Sequence, residues 1–193
     1  MKFRIEQVTS ALVDDLAKLF GSEKIANDCW CMWFIIPVKD FHAAGSDGNR
    51  ASFCNLLAKS EHTPGLLAYQ DAEPVGWCAV GPRSRYARAL KTPTYRGGEA
   101  ESDADIWLVP CLFVRKDVRR RGVSQALLEA AVDLAKQNGA TAVEGFPFSG
   151  SKKRSGDIQV GSEPLFAACG FDVIRTPSPG RVVMRRELKK DQT

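Results

Sequence analysis

The sequence predicts an α/β (α+β) fold in which helices flank a mixed, mostly antiparallel sheet of six to seven strands. Segments typical of strands and helices follow one another in the order β-α-α-β-β-β-α-β-α-β-β. Two strand segments, residues 65–70 and 74–80, are joined by a short polar turn, as in an antiparallel hairpin. Residues 123–135 carry apolar side chains at helical spacing between two further strand segments. This pattern favours a sheet covered by helices.

The N-terminal half is expected to contain one strand, two helices and the hairpin. Residues 3–8 alternate as a strand does, and Thr9-Ser10 suit the start of a helix. The apolar residues of that helix are Leu12, Leu16, Leu19 and Phe20. Glycines and a proline interrupt residues 21–49, and the next helix is expected near 49–60. Within the interrupted stretch, CWCMWFII has the composition of a core strand.

The C-terminal half alternates strands and helices more regularly. Residues 105–114 form a strand candidate with Pro110 in its middle, which predicts a β-bulge because proline has no N–H to donate to a neighbouring strand. The helix of residues 123–135 ends at Asn138-Gly139. Later strands are expected at 141–146, 171–175 and 181–188, with a short helix at 163–169 and irregular excursions at 82–104 and 148–161.

Chain length and composition favour a single domain spanning residues 1–193. A chain of 193 residues has room for one domain, and 44% hydrophobic with 26% charged residues is a globular composition. The longest apolar run, residues 29–38, is too short to cross a bilayer. The N-terminal residues lack the apolar core of a secretory signal. We therefore expect a cytoplasmic protein with no membrane partner.

The six cysteines are expected to be reduced thiols in that compartment. Cys29, Cys31, His42, Cys54 and His62 can be drawn as a zinc cluster. No CxxC pair occurs, however, and the spacing matches no common arrangement of zinc ligands. The sequence therefore predicts no metal site and small, mostly buried thiols.

The net charge of +4 is concentrated in one heptad, residues 115–121. Five basic residues stand there against Asp117, whereas the 22 basic and 22 acidic residues elsewhere balance. Such a concentration favours one anionic ligand at one place over an extended nucleic-acid surface, so no nucleic acid partner is expected. A solvated basic loop would have the same composition.

The heptad lies between a strand and a helix, in the order IWLVPCLFV, RKDVRRRGVS and QALLEAAVDLAKQNG. A tight turn into a helix exposes backbone N–H groups and the positive end of the helix dipole, which together bind phosphate. Gly122 permits close approach of a ligand to the backbone. Neither GxGxxG nor GxxxxGK[ST] occurs at this turn, so the dinucleotide and Walker-type interpretations lack their residues.

This arrangement resembles the acetyl-CoA loop of the GNAT superfamily of N-acetyltransferases, whose signature is Q/R-x-x-G-x-G/A. Here the loop reads Arg119-Arg120-Arg121-Gly122-Val123-Ser124, with serine where the family usually has glycine or alanine. Leu112-Phe113-Val114 falls on the family's fourth strand, and LFAACGF at 165–171 resembles its L-Y-x-x-x-G-F element. The resemblance covers residues 105–175.

The resemblance implies a GNAT-like sheet, splayed between strands 4 and 5, with acetyl-CoA bound in the gap as cosubstrate. An acetyl group would pass to a primary amine of a small molecule or peptide by direct attack on the thioester, without a metal. Proteins that look like this often form homodimers. The residues implied to bind acetyl-CoA are Leu112, Phe113, Val114, Arg119, Arg120, Arg121, Gly122, Val123, Ser124, Gln125 and Phe166.

The proton carriers do not follow from the resemblance, because Phe166 stands where the family has a tyrosine acid. Asp105 and Glu144 are the carboxylates nearest in sequence to the expected gap, so each is a candidate base. Each can also be an ordinary surface carboxylate. The missing tyrosine leaves an alternative function open, namely a catalytically weak GNAT fold that binds acyl-CoA as a sensor or interaction module.

Two sequence features point to opposite kinds of acceptor. An acidic cluster before strand 4 would attract a cationic amine, whereas an arginine cluster after strand 3 would bind an anionic group. Three tryptophans suit either the wall of an acceptor pocket or a core. The residues are Glu99, Glu101, Asp103 and Asp105; Arg83, Arg85 and Arg88; and Trp30, Trp33 and Trp77. The sequence leaves the acceptor open.

Overall fold

The computed structural model describes residues 3–95, 105–150 and 159–188. Its strands form one sheet in the order β1-β2-β3-β4-β5-β7-β6. The strands are β1 (Arg4–Gln7), β2 (Gly65–Gln70), β3 (Glu73–Pro82), β4 (Ile106–Val114), β5 (Ala142–Gly145), β6 (Asp172–Ser178) and β7 (Arg181–Glu187). All neighbours pair antiparallel except β4 and β5, which are parallel. The predicted mixed, mostly antiparallel sheet is confirmed.

Helices cover both faces of the sheet, because alternate strand residues point to opposite faces and both sets are apolar. On one face, α4 buries Leu127 and Leu128 in a cluster with Trp107 and Val143. On the other face, the N-terminal helices bury a cluster around Trp77. The helices are α1 (Val13–Phe20), α2 (Lys24–Cys29), α3 (Val38–Lys59), α4 (Val123–Gln137) and α5 (Glu163–Ala168). None of the described helices is long and apolar enough to cross a membrane.

The structure differs most from the sequence prediction between residues 21 and 49. Helix α3 begins at Val38 and is interrupted at Gly45, whose φ of 59° is not helical. The expected core strand CWCMWFII is wrong, since Trp30 and Cys31 have φ values of 45° and 55° and end α2 in a tight turn. Trp30 and Phe34 pack against side chains of the sheet although the segment does not join it, whereas Trp33 stays half-exposed. Composition predicted buried aromatic side chains, but strand pairing depends on the backbone.

The bulge predicted at Pro110 is present in β4. Ala79 of β3 faces Cys111, whereas Gly81 faces Leu108, so two steps along β3 match three along β4. Pro110 lies within the extra step, where its missing N–H removes no regular ladder bond.

Strands β4 and β5 part immediately beyond this bulge. They pair only from Ile106 with Ala142 to Val109 with Gly145. Beyond Val109, β4 continues to Val114 paired with β3 alone among the described strands. The expected splay is therefore an opening along the second half of β4.

Candidate functional site

A pocket of about 510 Å³ lies in this opening. The second half of β4, the basic loop and the start of α4 form one side, and the chain before and within α5 forms the other. Nine of the eleven residues expected to bind acetyl-CoA line it, and Arg121 and Phe166 do not. The lining residues are Leu112, Phe113, Val114, Arg119, Arg120, Gly122, Val123, Ser124, Gln125, Phe148, Gly161, Ser162 and Leu165. The last four complete the pocket, and only Leu165 belonged to a sequence motif.

The start of α4 presents backbone donors to the pocket. Its first intrahelical bond runs from the Ala126 N–H to the Gly122 carbonyl, at 3.0 Å. The N–H groups of Val123, Ser124 and Gln125 therefore have no intrahelical acceptor, and the cap supplies no side-chain bond. Gly122 has a φ of 88°, and a Cβ there would meet nothing within 4 Å. The turn requires glycine for its backbone angle rather than for space.

The open edge of β4 presents further backbone groups. The Arg115 N–H donates to the Val75 carbonyl at 3.0 Å. Because alternate residues of an antiparallel pair exchange hydrogen bonds, Phe113 also directs its backbone groups at β3, whereas Leu112 and Val114 direct theirs into the opening. The Val114 carbonyl accepts a bond from Arg119 Nε at 2.9 Å. The Leu112 N–H and carbonyl and the Val114 N–H thus face the pocket.

Phe166 lies in the core behind the pocket. Its side chain is fully buried, and its ring centroid is 5.0 Å from that of Phe171. A Cβ added at Gly145 or Gly161 would collide with the same ring, so both glycines allow it to pack closely. The ring therefore fills space between β5 and α5 and packs behind Gly161 without lining the pocket.

Glu144 is the centre of a buried polar network at the place where β4 and β5 part. It pairs with Leu108 across the strands and is fully buried. Its Oε1 accepts bonds from Arg185 Nε at 2.9 Å and Nη2 at 2.6 Å, and its Oε2 lies 3.5 Å from Arg83 Nη1. The Tyr95 hydroxyl donates to the same Oε2. The pKa of Tyr95 is raised, mainly by burial and secondly by the Glu144 carboxylate, so this phenol stays protonated.

We call the place where β4 and β5 separate, after Val109 and Gly145, the parting. Asp105 is exposed and lies before β4, four residues before Val109. Its carbonyl accepts bonds from the Thr141 N–H at 2.8 Å and the Thr141 hydroxyl at 3.1 Å. Glu144 therefore lies near the end of the paired segment of β4 and β5, whereas Asp105 lies just before its start.

The residues considered for acceptor binding lie in different environments in the structure. Glu99, Glu101 and Asp103 lie outside the described residues. Arg83 joins the Glu144 network, and Arg85 donates to the carbonyls of His62, Thr63 and Val80. Trp30 and Trp77 are buried in the N-terminal core, whereas Trp33 stays half-exposed with Arg88 over its ring. Arg88 and Trp33 are both partly exposed, and within the described residues Arg88 makes no bond to the interior of the sheet.

The six cysteines are free thiols, of which Cys78, Cys111 and Cys169 are buried and Cys29, Cys31 and Cys54 are partly buried. Trp77 Nε1 donates to Cys31 Sγ at 2.9 Å, and burial raises the pKa of Cys29 to about 12. A thiol with a raised pKa is a poor nucleophile and a poor metal ligand at neutral pH. Within residues 3–95, 105–150 and 159–188, no group of three His, Cys, Asp or Glu side chains could hold a metal ion.

Three rings that the sequence pattern did not single out meet beside the parting. The Phe146 centroid is 5.4 Å from those of Phe34 and Tyr95, and Phe146 directly follows the last residue of β5. Phe34 and Tyr95 are 112 and 51 positions away from Phe146 along the chain, so no local periodicity connects them.

Solved structures of similar fold include one with coenzyme A and one with acetyl-CoA. PaiA N-acetyltransferase from Thermoplasma acidophilum, in complex with coenzyme A, is 12% identical and has a TM-score of 0.57, covering 97% of this chain and 100% of its own. yncA from Salmonella typhimurium, with its cofactor acetyl-CoA, is 12% identical with a TM-score of 0.58, covering 99% and 96%. An N-acetyltransferase from Staphylococcus aureus Mu50 has the same identity and TM-score, covering 98% and 100%. At these identities the likeness shows the fold alone.

Sequence comparison supplies the family. A comparison with curated protein sequences finds no significant match. The model of the Acetyltransferase (GNAT) family matches residues 24–149, which is more than half of the 193-residue chain. The resemblance carried by the basic loop is thereby confirmed, and the chain belongs to the Acetyltransferase (GNAT) family.

Proposed function

We propose that this chain is an acyltransferase that moves an acetyl group from acetyl-CoA to a primary amine of a small molecule or peptide. The observation that carries the proposal is the pocket in which the unpaired N–H groups of α4 meet the open edge of β4. The α4 end of the pocket suits an anion and the β4 edge suits a chain of amides, and acyl-CoA contains both. The proposal treats residues 1–193 as one catalytic domain.

The backbone geometry suits the two chemical parts of the cosubstrate. The N–H groups of Val123, Ser124 and Gln125 would bind the pyrophosphate, with the positive helix end and the Arg120 guanidinium adding charge. The pantetheine amides would pair with the Leu112 carbonyl and the Val114 N–H, as an added strand pairs with a sheet edge. A pantetheine chain that extends along β4 would run from the basic loop towards the parting.

The reaction needs an oxyanion donor and two proton transfers. The amine nitrogen attacks the thioester carbonyl carbon, the C–S bond breaks, the amine loses one proton and the sulfur gains one. The Leu112 N–H suits the oxyanion, because the Phe113 N–H faces β3. Coenzyme A is a good leaving group, so water is a sufficient donor for its thiolate.

Glu144 and Asp105 remain the proposed candidate bases. Both Glu144 oxygens are occupied, so a proton would reach it through the Tyr95 hydroxyl, whose oxygen keeps a lone pair to accept from an ammonium group. Asp105 is exposed and four residues back from the parting, so it would act through water. The single variants Glu144→Gln and Tyr95→Phe separate the two routes. Tyr95→Phe should lower the acetylation rate only if the proton passes to Glu144.

Replacing Phe166 by tyrosine is expected to lower stability without raising the rate. The ring is fully buried against Phe171, so the new hydroxyl would enter an apolar region without a partner. We expect the free energy of unfolding to fall by about 1–3 kcal/mol. Urea unfolding and the acetylation rate measure the two effects. A rate increase of tenfold or more would instead place this ring beside the thioester.

Replacing Arg120 by alanine is expected to weaken acetyl-CoA binding about tenfold, because a charge-assisted bond to phosphate is lost. The dependence of Kd on salt should weaken as well. Lys116→Ala is the matched control, since Lys116 belongs to the same heptad but pairs with Glu23 and does not line the pocket. Titration calorimetry at two salt concentrations measures both. Equal effects of the two variants would contradict a specific phosphate site at Arg120.

The proposed function is tested by following coenzyme A release with acetyl-CoA and a broad panel of primary amines. Release that depends on an amine, with the acetylated amine identified by mass spectrometry, supports an N-acetyltransferase. The buried position of Phe166 favours the second candidate, a CoA-binding sensor or interaction module. Tight acetyl-CoA binding with no acetylated amine would favour the sensor over the enzyme.

A further inference from the structure

Arg88 is the one arginine of its cluster that is not committed to the protein interior. Its guanidinium carbon lies 3.5 Å from the centroid of the Trp33 ring, and its Nη1 donates to the Trp33 carbonyl. Arg83 and Arg85 are held by Glu144 and by three carbonyls. No carboxylate in the described part of the chain pairs with Arg88. A half-buried guanidinium stacked on a ring keeps several N–H donors in a fixed direction.

Trp33 begins a half-exposed apolar surface. Trp33, Phe34, Ile35 and Ile36 are all partly exposed, and the Phe41 ring lies 5.1 Å from that of Trp33. The surface is held by an unfavourable backbone turn, because Trp30 and Cys31 both occupy the left-handed region. Such conformations cost energy in residues other than glycine and cluster at functional sites.

This surface is connected through Phe34 to a buried ring beside the parting. The Phe34 ring contacts Phe146, which directly follows the last residue of β5. Trp33 and Phe34 are consecutive in the chain, so Arg88, Trp33, Phe34 and the buried Phe146 follow one another in a row towards the place where β4 and β5 part. The row lies on the side of the sheet away from α4, because Phe34 and Phe146 pack in the cluster of Tyr86, Tyr95 and Leu108. An amine must enter from this side if acetyl-CoA occupies the α4 side.

We propose that this row binds the acceptor, and that the acceptor is an amino acid in which an apolar or aromatic spacer separates the amino group from a carboxylate. Arg88 binds the carboxylate, the rings of Trp33 and Phe34 cover the spacer, and the amino group reaches the parting beside Phe146. Trp33, Phe34 and Phe146 lie between Arg88 and the parting, so the two charged groups cannot share one carbon. This inference rests on the proposed acetyl transfer.

The test compares 4-(aminomethyl)benzoate with benzylamine, which lacks only the carboxylate. We expect kcat/KM to be at least tenfold higher for the carboxylate, and Arg88→Met to reduce this ratio to below threefold. Methionine keeps apolar cover on Trp33 while removing the charge. Arg50→Met is the matched control, because Arg50 lies 5.3 Å over the Trp30 ring and pairs with Asp14. It should leave the ratio unchanged.

The two possible failures are distinguishable by measuring binding as well as turnover. Calorimetry with the coenzyme A-bound protein reports the affinity for 4-(aminomethyl)benzoate without any reaction. Arg88-dependent binding with no acetylation of any amine would overturn the acetyltransferase function and keep the acceptor surface. Acetylation of other amines, with no advantage for the carboxylate or the same ratio in Arg88→Met and Arg50→Met, would overturn the acceptor surface alone.

Discussion

Gly122→Pro is expected to abolish measurable acetyl-CoA binding, with Kd rising by at least a hundredfold. Proline requires a φ near −65°, whereas Gly122 has 88°, so the turn before α4 must rearrange. The N–H groups of Val123, Ser124 and Gln125 would then point elsewhere and the pyrophosphate would lose its backbone donors. Titration calorimetry measures the affinity. Gly122→Ala should give a smaller loss, because alanine tolerates the left-handed region at about 1–2 kcal/mol.

Gly139→Pro is the matched control for this prediction. Gly139 follows the other end of α4, has a φ of 77° and, like Gly122, has nothing within 4 Å of an added Cβ. Its N–H donates to the Lys136 carbonyl, so proline there also removes a backbone bond. We expect both proline variants to lower the melting temperature, but Gly139→Pro should change the Kd for acetyl-CoA by less than about threefold. Unchanged affinity in folded Gly122→Pro would remove the helix start from the site.

Glu144→Gln is expected to lower the free energy of unfolding by about 3–5 kcal/mol. The change removes the buried charge that Arg185 binds through two nitrogens and that Arg83 approaches at 3.5 Å. An amide also turns one acceptor oxygen into a donor nitrogen facing these cations. The Tyr95 hydroxyl loses a charged acceptor as well. Urea unfolding followed by circular dichroism gives the difference.

Glu187→Gln provides the comparison for Glu144→Gln. Glu187 also lies 3.5 Å from Arg185, but its side chain is 73% exposed. Exposed ion pairs contribute about 0–1 kcal/mol, so its loss should be within that range. Similar stability losses in the two variants would contradict a structural role for the buried network. In that case the carboxylate of Glu144 would be free to act as the base alone.

Local patterns in the sequence were sufficient for the elements whose residues contact near neighbours in the chain. The hairpin of β2 and β3, the bulge at Pro110 and the amphipathic face of α4 each depend on a few consecutive residues. The phosphate-binding turn is equally local, because a strand, a glycine and a helix start occur within one segment. Nine of the eleven predicted binding residues therefore line one pocket.

The sequence by itself determined the sheet class, the basic loop and the family, because alternation, helical spacing and glycine at a turn are properties of short segments. Only the tertiary structure decided that Phe166 lies in the core and that Glu144 is bound by Arg185. It also brought Phe34 to Phe146 and left Arg88 over Trp33. These contacts join residues far apart in the chain. They depend on strand order and on the turn at Trp30 and Cys31, which no local periodicity encodes.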